Sequence, residues 1–178
     1  MNTRRITRVA LFLAVALLLH LVESLLPPLL PFAPGAKMGL SNVVTLLALT
    51  LLSYTDAYLV LLLRCFLGSV FAGNISSLMY SLPAGVLSLT VQLLLYHFLY
   101  RRLSLMSISF TGAVVHNAVQ VAVASFTVRA NLSLMLPFML LASVIAGLFV
   151  GLVAFFVIKY LPKKVYTDAP KPRAKDPV

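Results

Sequence analysis

The chain has 178 residues, of which 61% are hydrophobic and only 10% are charged, and its mean hydropathy is +1.04. Soluble domains carry about 25% charged residues, so this composition cannot cover a globule of this size with polar surface. It excludes a soluble enzyme and predicts an all-α integral membrane protein in contact with the lipid bilayer. The length accommodates six transmembrane helices of about 20 residues with short loops.

The net charge of +10 comes from 14 Lys and Arg against 4 Asp and Glu. In a soluble protein such an excess would indicate nucleic acid as a partner. Here the basic residues lie at the ends of apolar segments, which is typical of residues that orient a membrane protein and contact lipid headgroups. We therefore expect no nucleic-acid partner. The single cysteine, Cys65, excludes an intramolecular disulfide and a CxxC centre.

Breaks between apolar segments predict where each transmembrane helix begins and ends. The first segment resembles a signal peptide, but its apolar run continues without a small-x-small cleavage site, so we interpret it as a retained span. The Pro- and Gly-rich loop 27–39 follows it and cannot form a regular helix. Asp56 is predicted to cap the third span, and Pro83 to open the fourth at its first turn. The predicted spans cover residues 7–26, 40–52, 57–71, 83–100, 107–128 and 134–160.

The positions of Lys and Arg predict the orientation of the bundle. If the N-terminus is cytoplasmic, only Lys37 and Arg129 lie in external loops, and Arg64 lies within a span. This positive-inside asymmetry requires an even number of spans, so both termini are expected inside a bacterial cytoplasmic membrane that the chain crosses several times. The remaining basic residues are all cytoplasmic in this topology: Arg4, Arg5, Arg8, Arg101, Arg102, Lys159, Lys163, Lys164, Lys171, Arg173 and Lys175.

Two domains are expected from the same patterns. Residues 1–160 form the transmembrane domain. Residues 161–178, rich in Pro and Lys, predict a disordered, basic cytoplasmic tail.

Polar side chains within the spans are the candidate functional residues, because such groups are costly in lipid and usually face the protein interior or a cavity. Two interpretations are open. In the first, Arg64 neutralises Glu23, and the polar groups of span five form hydrogen bonds between helices. In the second, Arg64 and these polar groups line a cavity open to the outside, with Glu23 as charge partner. The candidate substrate-binding residues are Lys37, Asn42, Arg64, Asn74, Tyr80, His116, Asn117 and Gln120.

Arg64 is the strongest candidate among these residues. It lies about 12 Å into the third span at 1.5 Å per residue. Arg64 and Lys37 supply positive charge against Glu23 alone, which favours a ligand with a carboxylate or phosphate group. The planar guanidinium can bind such a group through two parallel hydrogen bonds, which a lysine cannot do.

The sequence contains few residues that could carry out catalysis. Of the four acidic residues, Asp168 and Asp176 lie in the tail and Asp56 is expected to cap a helix. Paired carboxylates, an acidic cluster that could hold Mg²⁺ on a diphosphate, a Ser/His/Asp arrangement and a phosphate-binding Gly loop are all missing from the sequence. We therefore expect neither catalytic residues nor a metal or cofactor site, and hence no enzyme.

Small residues four apart allow transmembrane helices to approach closely. Ala10 and Ala14 form such a pair on the first span, and Ser143, Gly147 and Gly151 a longer series on the sixth. These residues are expected either to pack within the bundle or to contact another subunit.

Four segments carry a resemblance to a known family. ESLLPPLLPFAPGAKMGLSNVVTLLAL resembles the opening of the Gx transporter family, often labelled heptaprenyl diphosphate synthase component I, and LLRCFLGSVFAG, SSLMYSLPAG and GAVVHNAVQ resemble its later blocks. The resemblance as a whole covers roughly residues 7–160. That family is similar to the substrate-binding S components of energy-coupling-factor (ECF) transporters. The resemblance implies a six-helix bundle that captures a small molecule in an outward-facing pocket beneath the first external loop.

The resemblance also implies partners. An S component docks on a transmembrane coupling subunit that is driven by two ATPases, and Ala10 and Ala14 match the docking pattern. The first hypothesis is therefore an ECF-type importer subunit for a small anionic compound that is isoprenoid- or quinone-related or vitamin-like. The alternatives are a membrane scaffold in a flavin- and quinone-linked extracellular electron-transfer chain and an accessory component I of heptaprenyl diphosphate synthase.

Overall fold

The computed structural model describes residues 3–25, 39–73, 75–100 and 102–161, and these ranges form six α-helices. Lys37, Asn74 and tail residues 162–178 lie outside the described residues. The prediction of an all-α membrane bundle is confirmed. The elements are Thr3–Leu25 (α1), Leu40–Leu51 (α2), Tyr54–Phe71 (α3), Ser76–Leu99 (α4), Leu105–Val128 (α5) and Leu136–Tyr160 (α6), with a 3-10 helix at Ser133–Met135.

The second helix differs from the other five, which are long and apolar enough to cross a membrane. The 12 residues of α2 rise only about 18 Å, less than the ~30 Å hydrocarbon core. Ten of them are buried, so α2 is the central helix of the described bundle. It contacts α1, α3 and α6 and, less closely, α4. The other five helices lie around it, and each contacts the next in the order α1, α3, α4, α5, α6.

The outer surface of the bundle is apolar. Large hydrophobic side chains are exposed on the outward faces of the long helices, and α6 shows the pattern most fully. A surface of this kind matches lipid as its solvent. The exposed side chains of α6 include Phe138, Leu141, Ile145, Leu148, Phe149, Leu152, Phe155 and Phe156.

Helices α5 and α6 pack closely because glycines lie at their contact. A Cβ atom added at Gly147 would lie 2.7 Å from the Cα of Phe110, and one at Gly151 would lie 2.7 Å from the Cα of Met106. Backbone atoms cannot retreat as a flexible side chain can, so only glycine permits this approach. The small residues of α6 therefore serve packing within the bundle.

Two predicted helix starts are wrong. Ser53, and not Asp56, caps α3, because the Ser53 Oγ accepts a hydrogen bond from the Asp56 N–H at 3.3 Å. The fourth helix begins at Ser76 and contains Pro83 in its interior. Proline is tolerated inside membrane helices, where neighbouring helices supply packing, and Leu78 and Leu82 on the additional turns pack against the core.

The bundle has two distinct ends. At the basic end, where α1 and α3 begin and α4 finishes, Arg5 pairs with Asp56 at 2.6 Å and the Tyr54 hydroxyl lies 3.1 Å from Nδ1 of His97. At the other end, here called the cavity end, the Glu23 carboxylate near the end of α1 accepts hydrogen bonds from the backbone at the start of α2.

Candidate functional site

A cavity of about 650 Å³ opens at the cavity end and is lined by residues from all six helices. Ser24 and Ala72 on its wall are exposed and mark the mouth, whereas Leu61 and Leu89 are buried and mark its inner part. The volume lies within the range of ~300–1,000 Å³ that is typical of small-molecule sites. The walls combine apolar side chains with polar groups.

The cavity brings together the predicted site residues that the structure describes. Lys37 and Asn74 lie outside the described ranges, so their predicted contribution stays a prediction. Glu23, the predicted charge partner, also lines the cavity. The predicted substrate-binding residues on its wall are Asn42, Arg64, Tyr80, His116, Asn117 and Gln120.

Arg64 is buried, with a relative exposure of 5%, and its hydrogen-bond partners among the described residues all lie on α2. Its Nη1 donates to the Ser41 Oγ at 2.7 Å and to the Asn42 Oδ1 at 3.0 Å. The buried Nε has no hydrogen-bond partner, and among the described residues none accepts a bond from Nη2. The Nε and Nη2 edge of the guanidinium, which matches the two oxygens of a carboxylate or phosphate, therefore has no hydrogen-bond partner among the described residues.

Glu23 has a different partner from the one expected. Its Oε1 accepts hydrogen bonds from the backbone N–H of Gly39 and, at 3.3 Å, of Leu40. A carboxylate at a helix N-terminus satisfies N–H groups that have no partner within the helix and complements the positive end of the helix dipole. Within the described residues Glu23 and Arg64 form no ion pair, so the only carboxylate on the cavity wall is already engaged by α2.

Asn117 contributes to the joint between α5 and α6. Its Nδ2 donates to the Met139 carbonyl and to the Ser143 Oγ, both at 2.9 Å, and the Ser143 hydroxyl lies within reach of the Ala113 carbonyl. The amide nitrogen is thus used for interhelical bonding, as one of the two interpretations of span five proposed. The residue still borders the cavity.

His116 and Gln120 lie on the cavity-lining side of α5, one helical turn apart. Both side chains offer hydrogen-bond donors and acceptors. Arg64 and Asn42 add further polar groups to the wall of the same cavity.

Sequence reasoning missed the serines and Gln92. On α4, Ser77, Ser81, Ser88 and Gln92 all line the cavity, and their spacings of four, seven and four residues place them on one face of a helix. That periodicity was the available signal. Serine is so common at helix contacts in membranes that it does not stand out as an ionisable residue does. The serines on the wall are Ser24, Ser41, Ser69, Ser77, Ser81, Ser88 and Ser109.

His20 also lines the cavity and depends on a glycine of the neighbouring helix. A Cβ atom at Gly68 of α3 would lie 2.9 Å from the His20 Cδ2, so the imidazole occupies the space that the missing side chain leaves. The wall near the mouth is therefore shaped by α1 and α3 together.

The predicted docking pair lies away from the cavity. Ala10 and Ala14 are both exposed on the outer face of α1 and line no part of the cavity. They do not pack in the interior of the described bundle.

Comparison with known proteins identifies the family of the chain. The sequence model of the family described as heptaprenyl diphosphate synthase component I matches residues 12–157, which include all but the first turns of α1 and the last turn of α6. No curated protein and no solved structure gives a match. The chain belongs to the heptaprenyl diphosphate synthase component I family.

Proposed function

We propose that this protein is a membrane subunit that captures a small anionic molecule, in the manner of the S component of an ECF-type importer. The observation that carries the proposal is Arg64, a buried cation on the cavity wall whose carboxylate-matching edge has no acceptor among the described residues. A buried charge without a counter-ion is costly. An anionic ligand would supply the missing partner.

The distribution of charge supports an outward-facing cavity. Among the described residues, the basic side chains of the basic end outnumber the single one, Arg129, at the cavity end. Positively charged loops remain in the cytoplasm, so the proposed topology places the basic end inside and the mouth of the cavity outside. The basic-end residues are Arg4, Arg5, Arg8, Arg102 and Lys159.

The proposed mechanism is capture followed by transfer to a coupling subunit. The ligand enters through the mouth and exchanges its hydrogen bonds to water for hydrogen bonds to the Arg64 guanidinium. The polar groups of α2, α4 and α5 then hold it. The chain itself contains no ATP-hydrolysing motif, so uptake requires energy from partner ATPases. The exposed pair Ala10 and Ala14 on α1 supports a protein contact there, because small residues let another helix approach closely.

The family match supports a second candidate function. Membership in a family described as component I of a diphosphate synthase is consistent with an accessory subunit that binds a prenyl diphosphate at Arg64, since a diphosphate is also an anion. In that case the catalytic groups would belong to another subunit. The two candidates differ in the ligand that the cavity holds and in the partner that copurifies.

Mass spectrometry of small molecules extracted from the purified full-length protein tests the proposal. We expect the wild type to retain one anionic compound, Arg64→Gln to lose it, and Arg5→Gln, the control at the opposite end, to keep it. A prenyl diphosphate in the wild type would favour the accessory role. Identical extracts from all three proteins would contradict an anion site at Arg64.

A further inference from the structure

The inner part of the cavity contains a second buried polar atom that has no hydrogen-bond partner among the described residues. Within the described residues two buried side-chain polar atoms lack any hydrogen bond, the Arg64 Nε and the Ser109 Oγ, and both residues line this cavity. Ser109 has a relative exposure of 2%. Buried polar groups in native proteins are almost always satisfied, so two unsatisfied groups on one cavity wall indicate a ligand with two polar ends.

The polar residues on the cavity wall lie at different depths. Ser109 lies on α5 three turns below Gln120, which corresponds to about 16 Å at 1.5 Å per residue. On α4, Gln92 lies a similar distance below Tyr80, about 18 Å. Both inner residues are on the same cavity wall as their outer counterparts. The cavity is therefore elongated along the helices, with polar groups at its inner end as well as near Arg64.

Gln92 and Ser88 complete the inner polar group. The Gln92 amide packs against Gly112, where an added Cβ would come within 1.9 Å of its Nε2, and Gln92 lines the cavity. Ser88 donates to the Gly112 carbonyl at 2.7 Å, which leaves its oxygen free to accept. No charged side chain lines the cavity at this depth, so these groups suit an uncharged hydroxyl or amide.

We infer that Ser88, Gln92 and Ser109 form a second, uncharged polar subsite, and that the molecule taken up is an elongated, water-soluble anion with a hydroxyl or amide group at the end remote from its charge. The inference rests on the proposed function. A prenyl chain in the same cavity would displace water from Ser109 and Gln92 without replacing its hydrogen bonds, which is unfavourable.

Two series of probes that differ only in one hydroxyl test the inference. The full-length protein in detergent is titrated with alkyl phosphates from propyl to octyl and with the same compounds carrying a hydroxyl on the terminal carbon. At the length that reaches Ser109, we expect the hydroxylated probe to bind about tenfold more tightly than its plain counterpart. Ser109→Ala should abolish that preference, whereas Ser107→Ala, a matched change on α5 at a residue that does not line the cavity, should keep it.

The outcomes separate this inference from the proposed function. If phosphates bind and depend on Arg64, but the hydroxyl gives no advantage at any length, Ser109 holds only water and the inference is wrong while the anion site stands. If no phosphate of either series binds, or if binding ignores Arg64→Gln, both the anion site and the inner subsite are wrong. A preference that survives Ser109→Ala and Gln92→Leu would also overturn the assignment of the inner subsite.

Discussion

The two ends of this bundle use the same kinds of residue in opposite ways. At the basic end polar side chains satisfy one another, as Arg5 does with Asp56 and Thr55, and Tyr54 with His97. At the cavity end they surround a space of about 650 Å³, and two buried groups on its wall have no hydrogen-bond partner in the part of the chain that the structure describes. Internal pairing fixes a structure, whereas unpaired buried groups keep their hydrogen bonds available for a ligand.

The two arginines illustrate the difference most clearly. Arg5 has an exposed fraction of 45% and a carboxylate partner, so solvent and Asp56 both stabilise its charge. Arg64 is 5% exposed, and its hydrogen-bond partners within the described ranges are only the neutral side chains of Ser41 and Asn42. Nothing in the fold of the described residues requires a cation at position 64, which is why we assign it to binding.

The largest expected effect concerns access to the inner cavity. In a Cys65→Ser background, Ser109→Cys should react with the anionic reagent sulfonatoethyl methanethiosulfonate, because position 109 lines the same cavity as Arg64 and this cavity is proposed to open to the outside. Ser143→Cys is the matched control, since Ser143 is fully buried between α5 and α6 and does not line the cavity. Mass spectrometry of the intact protein measures the labelling.

This labelling experiment also checks orientation. Reagent added outside intact cells should modify position 109, because the mouth is proposed to open outward. Equal labelling at positions 109 and 143, or modification only after the cells are opened, would contradict the outward-facing cavity.

Alanine substitutions of two glycines separate packing from binding. Gly151→Ala forces a Cβ against the Met106 backbone and should lower the free energy of unfolding by about 1–3 kcal/mol. At Gly112 the three atoms nearest to an added Cβ all belong to the flexible Gln92 side chain. Gly112→Ala should therefore cost less stability, while it displaces Gln92 from the inner subsite and weakens ligand binding. Thermal unfolding and titration with an alkyl phosphate measure the two effects. The reverse ranking of stability losses would contradict the close backbone contact of α5 and α6.

The smallest expected effect on stability belongs to the outer face of α1. Replacing both Ala10 and Ala14 with Leu should leave the unfolding temperature of the isolated protein nearly unchanged, because both side chains are exposed and lipid accepts leucine readily. Copurification of a coupling subunit from native membranes should be lost. A destabilised protein, or a complex that survives the double substitution, would count against a docking surface at this position.

Sequence alone predicted the bundle better than the details of its site. Hydropathy and charge fix the number of helices and the apolar exterior, because both depend on the composition of long segments. Helix starts were less predictable, since Ser53 and Asp56 are both good caps and Pro83 is tolerated inside a membrane helix.

The candidate site was predicted where a residue is conspicuous by its charge and missed where it is not. Arg64 and the polar residues of α5 stand out against an apolar background, and the structure places them on one cavity. The capping role of Glu23 depends on a tertiary approach of α1 to the start of α2, which no periodicity encodes. The seven serines of the wall acquire their meaning only when the helices that carry them are assembled.

Titration of Arg64→Lys with an alkyl phosphate that binds the wild type tests the central claim most directly. Lysine keeps the positive charge but cannot offer two parallel donors. We expect the affinity of this variant to fall by at least about tenfold, or roughly 1.4 kcal/mol, while Arg5→Lys at the basic end keeps the wild-type value. An unchanged affinity in Arg64→Lys would contradict the proposed anion site, because it would show that paired hydrogen bonds from the Arg64 guanidinium do not hold the anion.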